Sequence, residues 1–308
     1  MPSKFAQKIL DLPPIAKLTR IAKRIVLPGF EGIALYEVLV FFLRGVSKGA
    51  VNMRASSVAF SFFLAIFPSI IFLFTLIPYI PIDNFQNELF DVIKSVMPKA
   101  AFEATESTLE DIIKRQNSGL LSFGFITALY FATNGFVAVI NAFNQTYHSV
   151  ETRKPFMTRL VSIALVLIQT TLLITAIAII IFSEILLNKI SLLSNFESYL
   201  ILIGRAITVF ALFFCTLSFI YYLAPSSKAR WRFISAGSTF AAILTVITCW
   251  GFAFYINNFG QYNKLYGSIG TLIVILLWIY FNSYILLLGF ELNASIDMAK
   301  KKGEKAII

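Results

Sequence analysis

Six long apolar runs dominate this sequence of 308 residues. A helix needs about 20 mostly apolar residues to cross the hydrocarbon core of a bilayer. Lipid tolerates only helices or closed barrels, because an unpaired backbone group finds no water there. Barrel strands alternate in polarity and are about ten residues long, so these runs do not suit a barrel. The sequence predicts six transmembrane helices, over residues 55–80, 118–140, 160–187, 199–224, 233–257 and 266–294.

The composition agrees with a chain whose main solvent is lipid. Hydrophobic residues make up 58% of the chain and charged residues 14%, whereas about a quarter of a soluble domain is charged. Cys215 and Cys249 both lie inside apolar runs, which indicates buried thiols rather than a disulfide framework or a metal site. We therefore expect an all-α polytopic membrane protein that holds neither a metal nor a cofactor.

The distribution of basic residues predicts the orientation of the helices. Nineteen Lys and Arg residues lie in the N-terminal 54 residues, the second-to-third and fourth-to-fifth connections and the C-terminal tail, against six in the other connections. Basic residues concentrate in cytoplasmic loops, so both termini are expected in the cytoplasm. The net charge of +10 then reports topology, and no nucleic-acid partner is expected.

Three regions follow from these patterns. Residues 1–54 form a basic, amphipathic segment, with an interfacial helix expected over residues 30–50. Residues 55–296 form the transmembrane domain, whose outer loop, 81–117, contains seven acidic residues and apolar residues at helical spacing. Two short amphipathic helices are expected in that loop. Residues 297–308 form a basic cytoplasmic tail.

The second span carries polar residues along one helical face, within about 60°. Such groups are costly against lipid, so they must face protein or water. Both a chain of interhelical hydrogen bonds and the wall of a hydrated cavity satisfy this requirement. The stripe contains Thr127, Tyr130, Asn134, Ala138, Asn141, Gln145 and His148.

The last span contains an amide and a carboxylate. We expect Asn282 to point into the bundle and to bond to a neighbouring helix, since such bonds stabilise helix pairs in membranes. Glu291 lies near the cytoplasmic end of the span. It is expected to anchor that end, with Arg54 at the start of the first span as its partner.

Two further features break the apolar pattern. Arg205 and Glu184 lie at similar depth in the outer leaflet of the fourth and third spans, so they are expected to pair, because an unpaired charge there is costly. The alternative is that Arg205 reaches lipid phosphate. Pro68 lies inside the first span and removes one backbone hydrogen bond, which predicts a kink.

Three blocks of the sequence resemble the YihY/BrkB family of bacterial inner-membrane proteins. They are residues 54–74, 118–160 and 223–294, of which YGSIGTLIVILLWIY followed by LLLGFELNA is the most specific. The resemblance implies six membrane helices with both termini inside and a place in the inner membrane. Members have carried the label ribonuclease BN, and one branch is associated with virulence and serum resistance. The family-typical residues present here are Arg54, Ala59, Pro68, Asn141, Asn144, Pro225, Tyr266, Gly267, Trp278, Gly289, Glu291 and Asn293.

The residues do not favour an enzyme. A metal-dependent ribonuclease needs several converging His and Asp ligands, and this chain has one histidine. It also lacks a phosphate-binding GxxxxGK[ST] loop, and no Asp lies within a predicted span. Transport or handling of lipids and amphiphiles is the favoured function, and a non-transporting scaffold or envelope-assembly partner is the alternative. Membrane lipids are the expected partners, with envelope proteins or further copies of the chain as additional candidates.

Overall fold

Helices and the turns that connect them make up the residues that the computed structural model describes, which are 19–79, 84–96, 106, 110–111, 116–146, 153–189, 195–226, 233–259 and 268–305. No β-strand occurs in these ranges. The helices are α1 (Leu35–Lys48), α2 (Val51–Leu76), α3 (Phe85–Val96), α4 (Ser118–Asn144), α5 (Pro155–Lys189), α6 (Asn195–Leu223), α7 (Ala236–Phe259) and α8 (Ser268–Lys305).

Six of these helices, α2 and α4 to α8, are long and apolar enough to cross a membrane. The prediction of six spans is therefore confirmed. The last helix, α8, continues beyond residue 296 to Lys305. Asp297 and Lys301 form an ion pair of 2.6 Å one turn apart on α8, and such pairs stabilise a helix. The described part of the basic tail is thus the last turns of α8.

Side-chain caps explain where several helices begin. Asn117 precedes α4, and its Oδ1 accepts a hydrogen bond of 2.9 Å from the Leu120 amide. Before α7, the Ser235 Oγ accepts from the Ser238 amide at 3.1 Å, while the Ser238 Oγ accepts from the Ser235 amide at 3.0 Å. These bonds satisfy amide groups that have no partner in the first turn of a helix. Pro155 occupies the first position of α5, where its missing N–H costs nothing.

The chain divides into two units, of which the larger comprises residues 1–59 and 136–308. Within it, α5 packs on α6, α6 on α7, α7 on α8, and α8 on α1. The α1 contact is apolar: Phe30 and Val38 are buried against Leu292 and Ile296 of α8. The expected interfacial helix is therefore also a packed element of the protein.

The smaller unit comprises residues 60–135. Here α2 and α4 approach closely at two glycines: Gly124 lies against the backbone of Phe72, and Gly135 lies against the ring of Phe62. Gln86 and Gln116 donate hydrogen bonds to the carbonyls of residues 77 and 78, just after α2. The first amphipathic helix predicted in the outer loop is α3. Of the second, the structure describes residues 106, 110 and 111, which are helical.

The backbones of α7 and α8 meet at Gly237 and Gly289. A Cβ atom built on Gly289 would lie 2.7 Å from the Cβ of Ala241 and 2.7 Å from the carbonyl oxygen of Gly237, and it would also overlap the hydroxyl of Tyr221. Small residues permit such contacts between membrane helices. Glycine at position 289 is therefore a packing requirement.

We predict that Gly289→Ala destabilises the protein by about 1–3 kcal/mol, the usual cost of overpacking a core. Gly303→Ala on the same helix is the matched control, because a Cβ atom there would meet nothing within 4 Å. Alanine is the better helix former, so the control is expected to retain or slightly raise the melting temperature in detergent. Equal melting temperatures for the two variants would contradict the close contact at Gly289.

Candidate functional site

The structure brings Arg54 and Glu291 together as a buried ion pair. Arg54 lies in the first turn of α2 and Glu291 in α8, and the Arg54 Nη2 donates to the Glu291 Oε1 at 2.5 Å. The Glu291 side chain is 0% exposed and the Arg54 side chain 9% exposed. Charges inside a membrane protein are rare and commonly mark functional sites, so this pair is the centre of the candidate site.

The guanidinium group also binds the end of a third helix. The Arg54 Nη1 donates a hydrogen bond of 2.7 Å to the carbonyl oxygen of Ala142, which belongs to the last turn of α4. Carbonyls in the last turn have no partner within the helix, and they form its partially negative end. Arg54 therefore joins α2, α4 and α8 through one charged group.

The pair is not fully hydrogen-bonded. Among the described residues, the Glu291 Oε2 and the Arg54 Nε are buried and have no hydrogen-bond partner. An unsatisfied buried polar atom costs about 1–3 kcal/mol and more when it is charged. Stability alone does not account for such a pair, because apolar replacements are often equally stable or more so.

An aromatic layer lies next to the network in sequence. Phe143 follows Ala142 and Phe290 precedes Glu291, and their rings stack with centroids 4.0 Å apart and 4° between the planes. Tyr221 of α6 lies 5.8 Å from Phe143 and donates a hydrogen bond of 2.8 Å to the carbonyl of Leu286. All three rings are buried, and opposite charges attract each other more strongly in such apolar surroundings than in water.

Two asparagines tie neighbouring segments to this layer. Asn293 accepts from the Gly237 amide at 2.8 Å and donates to the Ser235 Oγ at 2.9 Å, which fixes α8 to the start of α7. Asn144, the last residue of α4, accepts from the Ser226 amide at 3.0 Å. Both residues belong to the set that the family resemblance singled out, as do Arg54, Gly289 and Glu291.

Arg153 is a further structural residue that the sequence analysis treated only as a topology charge. It donates to the carbonyl of Leu223, the last residue of α6, at 3.3 Å and to the carbonyl of Pro225 at 2.8 Å. Desolvation by partial burial lowers the pKa of its guanidinium from the ordinary value. The group nevertheless stays charged at neutral pH, because arginine has a very high pKa.

The polar stripe of α4 is accessible over part of its length. Tyr130 is 54% exposed, Asn141 and Gln145 are exposed, and Thr127 and Asn134 are half-buried. The hydroxyl of Thr127 donates to the carbonyl of Phe123 in its own helix. His148 lies outside the described residues. In this chain the stripe therefore presents polar groups to its surroundings.

The other predicted site residues are placed as follows. The Asn282 amide donates to the Trp278 carbonyl at 2.8 Å, so this bond lies within α8 rather than between helices. The side chains of Arg205 and Glu184 lie outside the described residues, and their pairing stays a prediction. Pro68 lies in the interior of α2, which continues to Leu76; the kink there also stays a prediction.

Backbone groups are what the sequence analysis missed. The carbonyl of Ala142 and the amide of Gly237 complete the site, yet a backbone group leaves no mark in the sequence. Their position could have pointed to them, because both lie at helix ends, where backbone groups lack partners within the helix. Among the described residues, no cluster of three or more His, Cys, Asp or Glu side chains is arranged to hold a metal ion.

We predict that the buried pair shows strong energetic coupling. Arg54→Met and Glu291→Leu each leave one buried charge alone, so each is expected to lower the free energy of unfolding by about 3–5 kcal/mol. The double variant removes both charges and is expected to recover most of this loss. Chemical unfolding in detergent, followed by tryptophan fluorescence, measures all four proteins.

The solvent-accessible pair Asp297–Lys301 on α8, whose side chains are 33% and 56% exposed, is the control. Asp297→Leu with Lys301→Met is expected to show a coupling below about 1 kcal/mol, as exposed ion pairs do. Additive losses at Arg54 and Glu291 would contradict the view that these two charges compensate each other.

Comparison with known proteins agrees with this architecture. A Bacillus subtilis (strain 168) protein, YfkH, named as ribonuclease-like, is 32% identical over 254 residues, which cover 80% of this chain and 90% of that protein. A UPF0761 membrane protein of Haemophilus influenzae (strain 86-028NP) is 22% identical over 269 residues, or 86% of this chain and 97% of the relative. A UPF0761 membrane protein of Xanthomonas campestris pv. campestris (strain B100) is 36% identical over 91 residues, which cover 30% of this chain and 21% of the relative.

No solved structure matches the chain. The family model described as virulence factor BrkB matches residues 42–307, a range that includes every residue of the Arg54–Glu291 network. With six apolar helices and relatives named as membrane proteins, the chain is a multi-pass bacterial membrane protein. It belongs to the BrkB family.

Proposed function

We propose that this protein moves a lipid or another amphiphilic solute across the membrane. The observation that supports this function most is the buried pair of Arg54 and Glu291, which is incompletely hydrogen-bonded among the described residues. Rearrangement of a buried charge pair is one way for membrane helices to change position.

The uneven packing of the larger unit supports the same proposal. Around Glu291, residues 285–296 of α8 are buried, with Leu288 alone half-buried. Other helices of the larger unit are less densely packed. Trp250 of α7 is 75% exposed, and Leu173, Ile174 and Ile177 of α5 are exposed. At 100° per residue, the exposed residues 173–175 and 177–179 cover more than half of the circumference of α5. Such a surface suits acyl chains.

The polar stripe of α4 supplies the complementary chemistry. Within the smaller unit, Tyr130 is exposed and Asn134 is half-buried on the same face of α4, and their phenol and amide groups can bind a polar headgroup. An amphiphile needs both kinds of surface. A carrier of small ions would need charged or carbonyl ligands instead.

A non-transporting scaffold is the second candidate. The hydrogen bonds of Asn293 to Gly237 and of Tyr221 to Leu286 tie three helices together near Glu291, and a rigid end favours a structural role. A scaffold would need no accessible polar stripe on α4. It would also not accelerate the movement of lipids or solutes, so a transport assay distinguishes the two functions.

The test is reconstitution of the purified full-length chain into liposomes. Scrambling of headgroup-labelled phospholipids and flux of a panel of amphiphilic solutes are measured against protein-free vesicles. We expect the wild-type chain to accelerate the movement of at least one class of lipid or solute relative to protein-free vesicles. Asn134→Leu is expected to slow that class by about threefold to thirtyfold, because an amide hydrogen bond in a membrane is worth about 0.6–2 kcal/mol.

Thr171→Leu is the matched control, because Thr171 is an exposed α5 residue whose hydroxyl already donates to the Leu167 carbonyl of its own helix. It is expected to leave the rate unchanged. Wild-type vesicles that behave like protein-free vesicles across the whole panel would contradict transport and favour the scaffold.

A further inference from the structure

Helix α1 has three chemically distinct faces. At 100° per residue, Val38 and Gly45 share the face that is buried in the protein. Leu39 and Leu43 share a second face, on which Leu43 is 62% exposed. Arg44 is exposed on the third face. A helix with protein on one side, an exposed apolar side and a basic side is typical of the boundary between lipid and water.

The residues before α1 extend its exposed faces. The Leu35 amide donates a hydrogen bond of 2.9 Å to the carbonyl of Ile25, and the Lys23 Nζ lies 5.2 Å from the centre of the Tyr36 ring. These contacts place the chain around residues 23–25 beside the first turn of α1. We call residues 20–27 and the exposed side of α1 the N-terminal surface. Its exposed apolar side chains are Ile21, Ile25, Val26, Leu27, Leu39 and Leu43.

The charge of this surface is positive. Its basic side chains are exposed, whereas Glu37 is its one acidic residue. Glu31, in the connection that precedes α1, already pairs with Lys300 of α8 at 2.7 Å. The five basic residues are Arg20, Lys23, Arg24, Arg44 and Lys48.

We propose that the N-terminal surface binds the headgroups of anionic phospholipids in the leaflet that surrounds this end of the protein. Basic residues at a membrane surface are attracted to anionic lipids, and the apolar residues beside them fit between the headgroups. The occupant follows from position as well as charge, because the transmembrane helix α2 begins at Val51, three residues after α1 ends. This proposal does not rest on the transport function.

The packing of α1 connects the N-terminal surface to the buried ion pair. The buried face of α1 packs on Leu292 and Ile296, which lie one and five residues after Glu291 on α8. At the other end of α1, Gly49 lies against the Arg54 side chain, whose Nη2 would be 3.0 Å from a Cβ atom there. Lipid that holds α1 in place is therefore expected to stabilise this end of the molecule.

The test is a lipid titration of the purified full-length protein in detergent, read by native mass spectrometry. Dioleoyl phosphatidylglycerol is the anionic probe and dioleoyl phosphatidylcholine the neutral one. The wild-type chain is expected to prefer the anionic lipid, and added salt is expected to weaken that preference. The variant Lys23→Gln/Arg44→Gln/Lys48→Gln is expected to lose about fivefold in affinity for each charge removed.

Lys94→Gln, in the exposed part of α3, is the control and is expected to bind like the wild type. All four substituted side chains are exposed, and an unchanged melting temperature in detergent checks the fold. Equal affinity of the triple variant and the wild type for phosphatidylglycerol would overturn the proposal. So would equally tight binding of glycerol 3-phosphate, which would indicate a phosphate site rather than a lipid surface.

Discussion

The buried ion pair between Arg54 and Glu291 is the constraint on which the packing around it depends. We call this region, the buried residues 285–296 of α8 and the segments that pack on them, the packed end. Two opposite charges in an apolar bundle attract each other strongly. Because both have lost their water, separating them would leave two unpaired buried charges, which is costly. The Ala142 carbonyl also holds the guanidinium in place, because it accepts a hydrogen bond from the Arg54 Nη1. One interaction thus joins the first turn of α2 and the last turn of α4 to α8.

The rest of the packed end follows from keeping water away from these charges. Phe143 and Phe290, which adjoin Ala142 and Glu291 in sequence, stack on each other, and this stacking requires the last turn of α4 to lie close to α8. Gly289 allows α7 to approach the other side of α8, and Asn293 holds that approach through the Gly237 amide. Away from this end, α5 and α7 expose apolar side chains, as expected where lipid replaces protein as the neighbour.

The sequence predicts the spans well because hydrophobicity over about 20 residues is a local property. It also pointed to Arg54 and Glu291, because a charge in an apolar run needs a partner. The bond of Asn282 within its own helix was harder to foresee, since an amide finds a backbone carbonyl one turn away as readily as a group on another helix. Contacts made by backbone atoms, such as the Ala142 carbonyl, depend on how helices meet, and residue identity alone does not specify that.

The most direct test of the central claim is the thermal stability, in native membranes, of the charge-swapped protein Arg54→Glu/Glu291→Arg beside its two single variants. Each single variant places like charges together, and the swap restores attraction. An arginine at 291 is not placed to donate to the Ala142 carbonyl as Arg54 does, so the account predicts a melting temperature above both single variants and below the wild type. A swapped protein no more stable than the single variants would contradict the pair as the organising interaction.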